Sequence, residues 1–195
     1  MYVLSGKEGT LIDSVKKASV YNSQSVVISS ILSPSRIVIS GEKVHVHSLL
    51  DYLKTQDINI EWKEINVNYA FHHHNTRYKE ADYKEIIDLL CERNNGESAI
   101  AYLSNLTGGF ASENEAYDSN YWFEHSRSPV RLFENIERML HDGCDFFVEL
   151  GPGSQLSSLL RVDYAIPDNH LVYPTNKRLS YSEYIAHRQQ LFSRI

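Results

Sequence analysis

Apolar residues in the first third of the chain switch between the two-residue spacing of strands and the three-to-four-residue spacing of helices. The opening "MYVLSG" predicts a short strand, and "GTLIDSVKKAS" places its apolar residues on one helical face. Two β-branched runs, "SVVISSIL" and "RIVISG", flank the turn-forming "SPS" and predict two strands. A helix in "EKVHVHSLLDYLKT" and an alternating strand in "INIEWKEINV" complete this part of the pattern.

These six predicted elements follow the order β-α-β-β-α-β over residues 1–67. Six elements in this order are typical of the ferredoxin-like split unit. We therefore expect an α/β chain that begins with a ferredoxin-like small subdomain.

The remainder of the chain alternates helix and strand, which predicts an α/β layer with mostly parallel strands. Helices are expected in "TRYKEADYKEIIDLLCERNNG", in "PVRLFENIERMLHDG" with Pro129 in its first turn, in "QLSSLL" and in the final "YSEYIAHRQQLFSRI". Strands are expected in "SAIAYLSN", in a buried "CDFFVEL" and in a short "HLVYPT". Because parallel sheets normally contain several strands covered on both faces, this region is expected to lack neighbouring strands and to expose apolar surface.

Composition and charge narrow the range of partners and compartments. The 195 residues are 42% hydrophobic, carry a net charge of −6 and include two cysteines. A negative protein is a poor match for nucleic acid or for an anionic membrane, so neither is expected as a partner. With no disulfide framework, no apolar run long enough to cross a bilayer and no apolar signal at the N-terminus, the chain is expected to be cytoplasmic.

Three consecutive histidines, His72, His73 and His74, follow the last strand of the small subdomain and allow three interpretations. A shared metal ion is disfavoured because adjacent side chains point in different directions and the usual ligand spacings of zinc sites are missing. No metal site is therefore expected, and His45 and His47 on a predicted helix do not change this. The other two interpretations are a solvated polar loop and a single catalytic histidine with two neighbours.

Five motifs occur along the chain in a recognisable order: "RIVISG", "NYAFHH", "YLSNLTGG", "YWFEHSRSPVRLFENI" and "FFVELGPGSQL". Together they resemble the acyltransferase domains of polyketide synthases and the malonyl-CoA:acyl-carrier-protein transacylases, from Met1 to about residue 175. The resemblance implies a ferredoxin-like subdomain at 1–67, the C-terminal part of a large α/β-hydrolase-like subdomain at 68–175, and a C-terminal helix or linker at 176–195.

The same resemblance implies which residues form the site. His72 is the expected catalytic histidine, and the main-chain carbonyl of Ser128, before "PV", is expected to orient its ring. Ala70 and Phe71 are expected to contact the substrate, and a bulky Phe71 favours malonyl over an α-methylated acyl group. No bound cofactor is implied: coenzyme A thioester and the phosphopantetheine of an acyl-carrier protein are the substrates, and fatty-acid or polyketide synthesis is the setting.

The nucleophile of this family is a serine in a Gly-x-Ser-x-Gly turn, and no such pattern occurs in the sequence. The chain is therefore expected to be inactive alone and to need an N-terminal acyltransferase portion or a synthase as partner. A fragment, a split subunit and a decayed copy remain open. The alternative function is a non-catalytic remnant that docks a carrier protein or a synthase.

Overall fold

The structure is a computed structural model that describes residues 1–21, 25–75, 80–91, 100–112, 115–150 and 153–172, together with residues 182 and 189. The chain divides into two compact units, Met1–Met139 and Leu140–Ile195. The boundaries expected at residues 67 and 175 remain predictions.

The first unit opens with the six elements that the pattern of residues 1–67 predicts, in the predicted order. They are β1 (Tyr2–Gly6), α1 (Leu11–Tyr21), β2 (Val26–Ser33), β3 (Arg36–Gly41), α2 (Lys43–Thr55) and β4 (Ile60–Glu64). The strands form a sheet in the order β4-β1-β3-β2, with all neighbouring pairs antiparallel. A fifth strand, β7 (Val130–Arg131), adds to β2 in parallel at the other edge.

The hydrophobic core of this unit lies between the sheet and the two helices. Val46, Leu49, Leu50 and Leu53 follow helical spacing along α2, and all four are buried. They pack with strand and α1 residues, including a fully buried Leu4. Truncating a leucine in such a core costs about 2–5 kcal/mol, so this cluster makes a large contribution to folding.

Two helices that contact each other follow the histidines: α3 (Glu80–Cys91) and α4 (Ser119–Arg127). Phe123 of α4 packs edge-on against Tyr83 of α3, and the Tyr83 hydroxyl donates to the main-chain oxygen of Trp122 at 3.3 Å. The helix α4 is not among the helices that the apolar spacing predicts, because its apolar residues are mainly aromatic and its polar content is high.

One further expectation for this region is wrong, and another is confirmed only in part. Pro129 does not lie in the first turn of a helix: Val130 and Arg131 pair with β2, and α5 (Leu132–His141) begins afterwards. Residues 98 and 99 of the strand expected in "SAIAYLSN" lie outside the described residues, and in the described part the strand is limited to β5 (Leu103–Ser104). This strand pairs antiparallel with β6 (Gly109–Phe110) across a tight turn. The residues after Pro129 form a strand because they pair with the distant β2. The strand β5 ends at Ser104 because the turn "NLTG" follows it.

The second unit contains β8 (Phe147–Val148), α6 (Gln155–Asp163) and β9 (Leu171–Val172), with β8 and β9 parallel. The "CDFFVEL" segment is not a buried strand, since Val148 and Leu150 are 40% and 91% exposed. Among the described residues, β8 pairs with β9 alone, so its other edge has no neighbouring strand there. The helix or linker expected at 176–195 falls outside the described residues apart from residues 182 and 189. Among the helices that the structure describes, none combines the length and hydrophobicity needed to cross a bilayer.

Candidate functional site

His72 lies in the loop between β4 and α3, and main-chain oxygens hold its half-buried ring. Its Nδ1 atom is 3.1 Å from the oxygen of Ser128 and 3.1 Å from that of His125. The contact expected with Ser128 is therefore present, and His125 adds a second acceptor that motif analysis missed. Both oxygens belong to the end of α4 or to the residue that follows it.

The two acceptors define which ring nitrogen of His72 carries the proton. A carbonyl oxygen can only accept a hydrogen bond, so Nδ1 is the donor in this arrangement. Nε2 is then the nitrogen with a lone pair, and it has no hydrogen-bond partner among the described residues. A ring fixed in this tautomer can take a proton at Nε2, as a general base does.

The local sequence explains why these oxygens are available. Asp118 caps the start of α4 by accepting from the main-chain nitrogen of Asn120 at 2.8 Å. At the other end, Pro129 disfavours a helical conformation in Ser128, which is extended at φ −101° and ψ 158°. The last carbonyls of a helix lack partners within it. Nδ1 of His72 supplies a donor for one of these carbonyls and for Ser128.

The side chain of His125 also faces the site. Its ring lies edge-on to His72 with centroids 5.7 Å apart, and it contacts Trp122 with centroids 5.5 Å apart. Burial lowers the pKa of His125, and the neighbouring His72 lowers it further. The ring of His125, which lies beside that of His72, is therefore mostly uncharged at neutral pH.

The other two histidines of the triplet have structural contacts of their own. His73 is only 6% exposed and its Nδ1 accepts from the main-chain nitrogen of Asn75 at 3.1 Å, so a fully solvated triplet is not observed. Burial lowers the pKa of His73, with a smaller contribution from His74, whose ring stacks on it at 4.5 Å. Arg127 donates to the main-chain oxygen of His74 at 2.8 Å and so ties this loop to α4.

The two predicted substrate contacts flank His72 on its N-terminal side. Phe71 is 38% exposed and its ring meets that of Tyr69 edge-on at 6.2 Å, while Ala70 is half-buried. Both residues are therefore at least partly accessible, at the two positions that precede His72 in the chain. Within the described residues, no three His, Cys, Asp or Glu side chains are grouped so that they could bind a metal ion.

Glu149, the first residue of the "ELGPGS" motif, has a structural role in the second unit. The Glu149 carboxylate accepts from the main-chain nitrogens of Leu156 and Ser157 at 3.1 and 2.9 Å and from the Ser157 hydroxyl at 2.8 Å. Burial alone would raise the pKa of Glu149, but these hydrogen bonds outweigh it and hold the pKa below its ordinary value. Glu149 therefore caps the start of α6, a task that Ser154 at the N-cap position does not perform through its side chain.

The sequence profile of a family described as "Acyl transferase domain" matches residues 3–173. The chain belongs to this family. The resemblance seen in the motifs is thereby confirmed, and the helices and sheets form the mixed α/β arrangement of solved acyl transferase domains.

Individual members of the acyl transferase domain family and solved structures agree with this assignment. The chain is 34% identical over 142 residues to a phenolphthiocerol synthesis polyketide synthase type I, Pks15/1, of Mycobacterium marinum. It shares the fold of the acyl transferase domain of ZmaA, with a TM-score of 0.76 and 23% identity over 98% of the chain. It also shares the fold of malonyl CoA-acyl carrier protein transacylase from Clostridium perfringens, with a TM-score of 0.71 and 21% identity over the whole chain.

The chain spans only part of each of these proteins. The matched region is 72% of this chain and 6% of the synthase from Mycobacterium marinum. It covers 43% of the ZmaA acyl transferase domain chain and 59% of the Clostridium perfringens transacylase.

Proposed function

We propose that this chain supplies the general base of an acyl-transfer site. The proposed reaction moves a malonyl-type group from coenzyme A to the phosphopantetheine thiol of an acyl-carrier protein, in polyketide or fatty-acid synthesis. The observation that supports it most directly is the double acceptance of the His72 Nδ1 proton by main-chain oxygens, which leaves Nε2 as the basic nitrogen. The nucleophile in this proposal is a serine outside these 195 residues.

The proposed chemistry has two steps of the same kind. First, Nε2 of His72 accepts the proton of the serine hydroxyl while the serine oxygen attacks the thioester carbonyl; the C–S bond then breaks and coenzyme A leaves with that proton. Second, the phosphopantetheine thiol gives its proton to Nε2 while the sulfur attacks the acyl-serine; the C–O bond breaks and the serine oxygen regains the proton. No metal or redox cofactor enters either step.

Phe71 and Ala70 are proposed to contact the acyl group, and Phe71 is proposed to limit its size. Phe71 precedes His72 in the chain and its ring is partly exposed, so we propose that this bulky side chain fills the space that an α-methyl substituent would need. Malonyl is therefore the proposed acyl group. One methyl in such a pocket is worth about 1–3 kcal/mol, so the preference is limited in size.

The β-α-β-β-α-β elements of residues 1–67 are proposed to be the ferredoxin-like subdomain of the family. The antiparallel order β4-β1-β3-β2 supports this assignment. Residues 68–175 are then proposed as the C-terminal part of the large subdomain, and 176–195 as a C-terminal helix or linker.

The test is to mix the chain with the serine-bearing portion of a related acyl transferase domain and to follow transfer of labelled malonyl from coenzyme A to an acyl-carrier protein. His72→Ala is expected to slow transfer by about 10²- to 10⁴-fold, the usual contribution of a general base. His45→Ala, the same change at a surface histidine, is expected to leave the rate unchanged.

Free imidazole added to His72→Ala should restore part of the rate, which separates loss of the base from misfolding. If His72→Ala transfers as fast as the unaltered chain, His72 is not the base. If the unaltered chain binds the carrier protein and stimulates no transfer, the chain is the non-catalytic docking remnant instead.

A further inference from the structure

A buried amide in the first unit makes a hydrogen bond whose purpose core packing does not explain. Asn135 of α5 is 4% exposed, and its Nδ2 donates to Oδ1 of Asn105 at 2.9 Å. Its own Oδ1 is buried and has no hydrogen-bond partner among the described residues. An unsatisfied buried acceptor costs about 1–3 kcal/mol, so an apolar residue would suit this position better if packing were its only task.

The partner of Asn135 lies in a turn that is itself fixed. Asn105 follows β5, and the hydroxyl of Ser104 accepts from the main-chain nitrogens of Leu106 and Thr107 at 3.1 and 3.2 Å. The same hydroxyl is 2.8 Å from that of Tyr121 on α4. The turn is therefore connected to α4 through Ser104, and to α5 through the bond between the Asn135 amide and the Asn105 side chain.

Asn105 in turn holds the segment that carries the acceptors of His72. Its main-chain oxygen accepts from the main-chain nitrogen of Arg131 at 2.9 Å. Arg131 is the last residue of β7, which also pairs with β2. Ser128, whose oxygen accepts from Nδ1 of His72, lies only three residues earlier.

We propose that Asn135 and Asn105 are positioning residues of the acyl-transfer site: the buried amide pair fixes the main chain at Arg131 and thereby the Ser128 oxygen that orients His72. The structural part of this inference stands on the contacts alone, whereas its effect on acyl transfer rests on the proposed function. Neither asparagine touches the reacting groups in this account.

The test observes the His72 ring directly, in the 195-residue chain with ¹⁵N-labelled histidine. In the unaltered chain, Nδ1 should give the signal of a protonated ring nitrogen and Nε2 that of an unprotonated one. Asn135→Leu keeps the branched shape and the number of side-chain heavy atoms, and it removes the unsatisfied oxygen together with the hydrogen bond to Asn105, so we expect only a modest change in stability. It should nevertheless move the two ¹⁵N signals of His72 toward each other, because the second tautomer becomes populated.

Asn105→Ala is the second variant, and it should shift the His72 signals in the same direction. Asn59→Ala, at an exposed asparagine before β4, is the matched control and should leave them unmoved. If Asn135→Leu and Asn105→Ala fold and leave the His72 signals in place, the amide pair has only a structural role and the proposal is overturned.

A measurement on the unaltered chain covers the case in which the variants do not fold. The main-chain amide of Arg131 should exchange with solvent slowly because Asn105 accepts its hydrogen bond. Exchange as fast as that of an exposed amide contradicts the proposal.

Transfer assays separate this inference from the proposed function. If both hold, Asn135→Leu should slow malonyl transfer by about 10- to 100-fold, which is the effect of a small misplacement of a catalytic group. If the His72 signals shift in the variants but the unaltered chain, mixed with the serine-bearing portion, supports no transfer, the positioning role is supported and the proposed function is contradicted. If the unaltered chain supports transfer in that mixture but the His72 signals of both variants stay in place, the proposed function is supported and the positioning role is contradicted.

Discussion

The imidazole of His125 lies edge-on to that of His72, with ring centroids 5.7 Å apart and planes at 80°. The main-chain oxygen of His125 also accepts from Nδ1 of His72 at 3.1 Å. One residue therefore acts on His72 twice, through its backbone as an acceptor and through its ring as a neighbour. Because burial and the His72 charge both lower the pKa of His125, the pair has consequences for pH dependence.

Stability should fall as the solution becomes acidic, and His125→Phe should reduce this fall. The pKa of His125 in the folded chain lies below its ordinary value of 6.5, so between these two values the unfolded chain binds more protons. The contribution of uncharged His125 to stability is therefore fully present above about pH 6.5 and is lost as the pH falls through the pKa of His125 in the folded chain. His73, whose pKa is also lowered, adds to the same trend in both chains.

The measurement for His125→Phe is urea unfolding at about pH 7.5 and about pH 5.5, on either side of the ordinary histidine pKa. The unaltered chain should lose more stability between these conditions than the variant. His45→Phe, at a surface position, should behave like the unaltered chain. Equal losses in the unaltered chain and in His125→Phe would contradict the assignment.

Glu149→Gln should loosen the start of α6. The neutral amide offers one acceptor oxygen where the carboxylate offers two and carries no charge, so hydrogen bonds to Leu156 and Ser157 weaken. We expect a loss of about 1–3 kcal/mol in the second unit. Hydrogen exchange at the Ser157 amide measures it, and Glu137→Gln, at an exposed carboxylate on α5, should leave that rate unchanged.

Gly108→Ala should destabilise the first unit more than Gly9→Ala. Both glycines have left-handed backbones, at φ +73° and +74°, so an alanine is strained at either position. A Cβ at 108 would also lie 3.0 Å from that of Glu134 and 3.2 Å from Cδ of Arg131, whereas a Cβ at 9 has open space around it. We expect a loss of about 1–2 kcal/mol for Gly9→Ala and a larger one for Gly108→Ala, measured by urea unfolding. Equal losses would show that the neighbours of Gly108 give way freely.

Leu89→Lys combined with Leu90→Lys should lower the binding of a dye that reports exposed apolar surface. These residues and Ile86 are each more than half exposed on α3. Exposed side chains contribute little to stability, so unfolding should change by less than about 0.5 kcal/mol. Val44→Lys, at an isolated exposed residue on α2, is the control and should leave the dye signal unchanged. An unchanged signal in the double variant would show that the dye binds elsewhere.

Phe71→Ser should shift acyl selection toward methylmalonyl if the proposed function holds. Removal of the ring opens space beside His72, and one methyl is worth about 1–3 kcal/mol in such a pocket. Competition between malonyl- and methylmalonyl-coenzyme A, in the mixture with the serine-bearing portion, should therefore change by about 10-fold or more. Phe110→Ser, the same change at an exposed phenylalanine on β6, should leave the ratio unchanged.

Local patterns predicted the first six elements because each carries its own signal. Val46, Leu49, Leu50 and Leu53 mark one face of α2, and β-branched runs mark β2 and β3. The errors arise where distant contacts decide the local structure. Pro129 is compatible with the first turn of a helix, but pairing of the next two residues with β2 makes that segment a strand.

The site shows the same division. The motif around His72 was visible in the sequence, as was the position before Pro129. The second acceptor was not, because a main-chain oxygen leaves no trace in residue identity and α4, which presents it, was not predicted. The cap formed by Glu149 was also missed, since it joins residues seven and eight positions apart and apolar spacing carries no signal for such a contact.

The backbone of His72 has a further consequence, for how variation at this position should be interpreted. Its φ of 54° lies in the left-handed region, where a residue other than glycine costs about 1–3 kcal/mol. Backbone preference alone would select glycine or asparagine there, so the imidazole is kept at an energetic disadvantage. If random replacements at position 72 were ranked by thermal stability alone, some variants without an imidazole would therefore rank close to the native chain. Only an assay of proton transfer would separate these variants from the native chain.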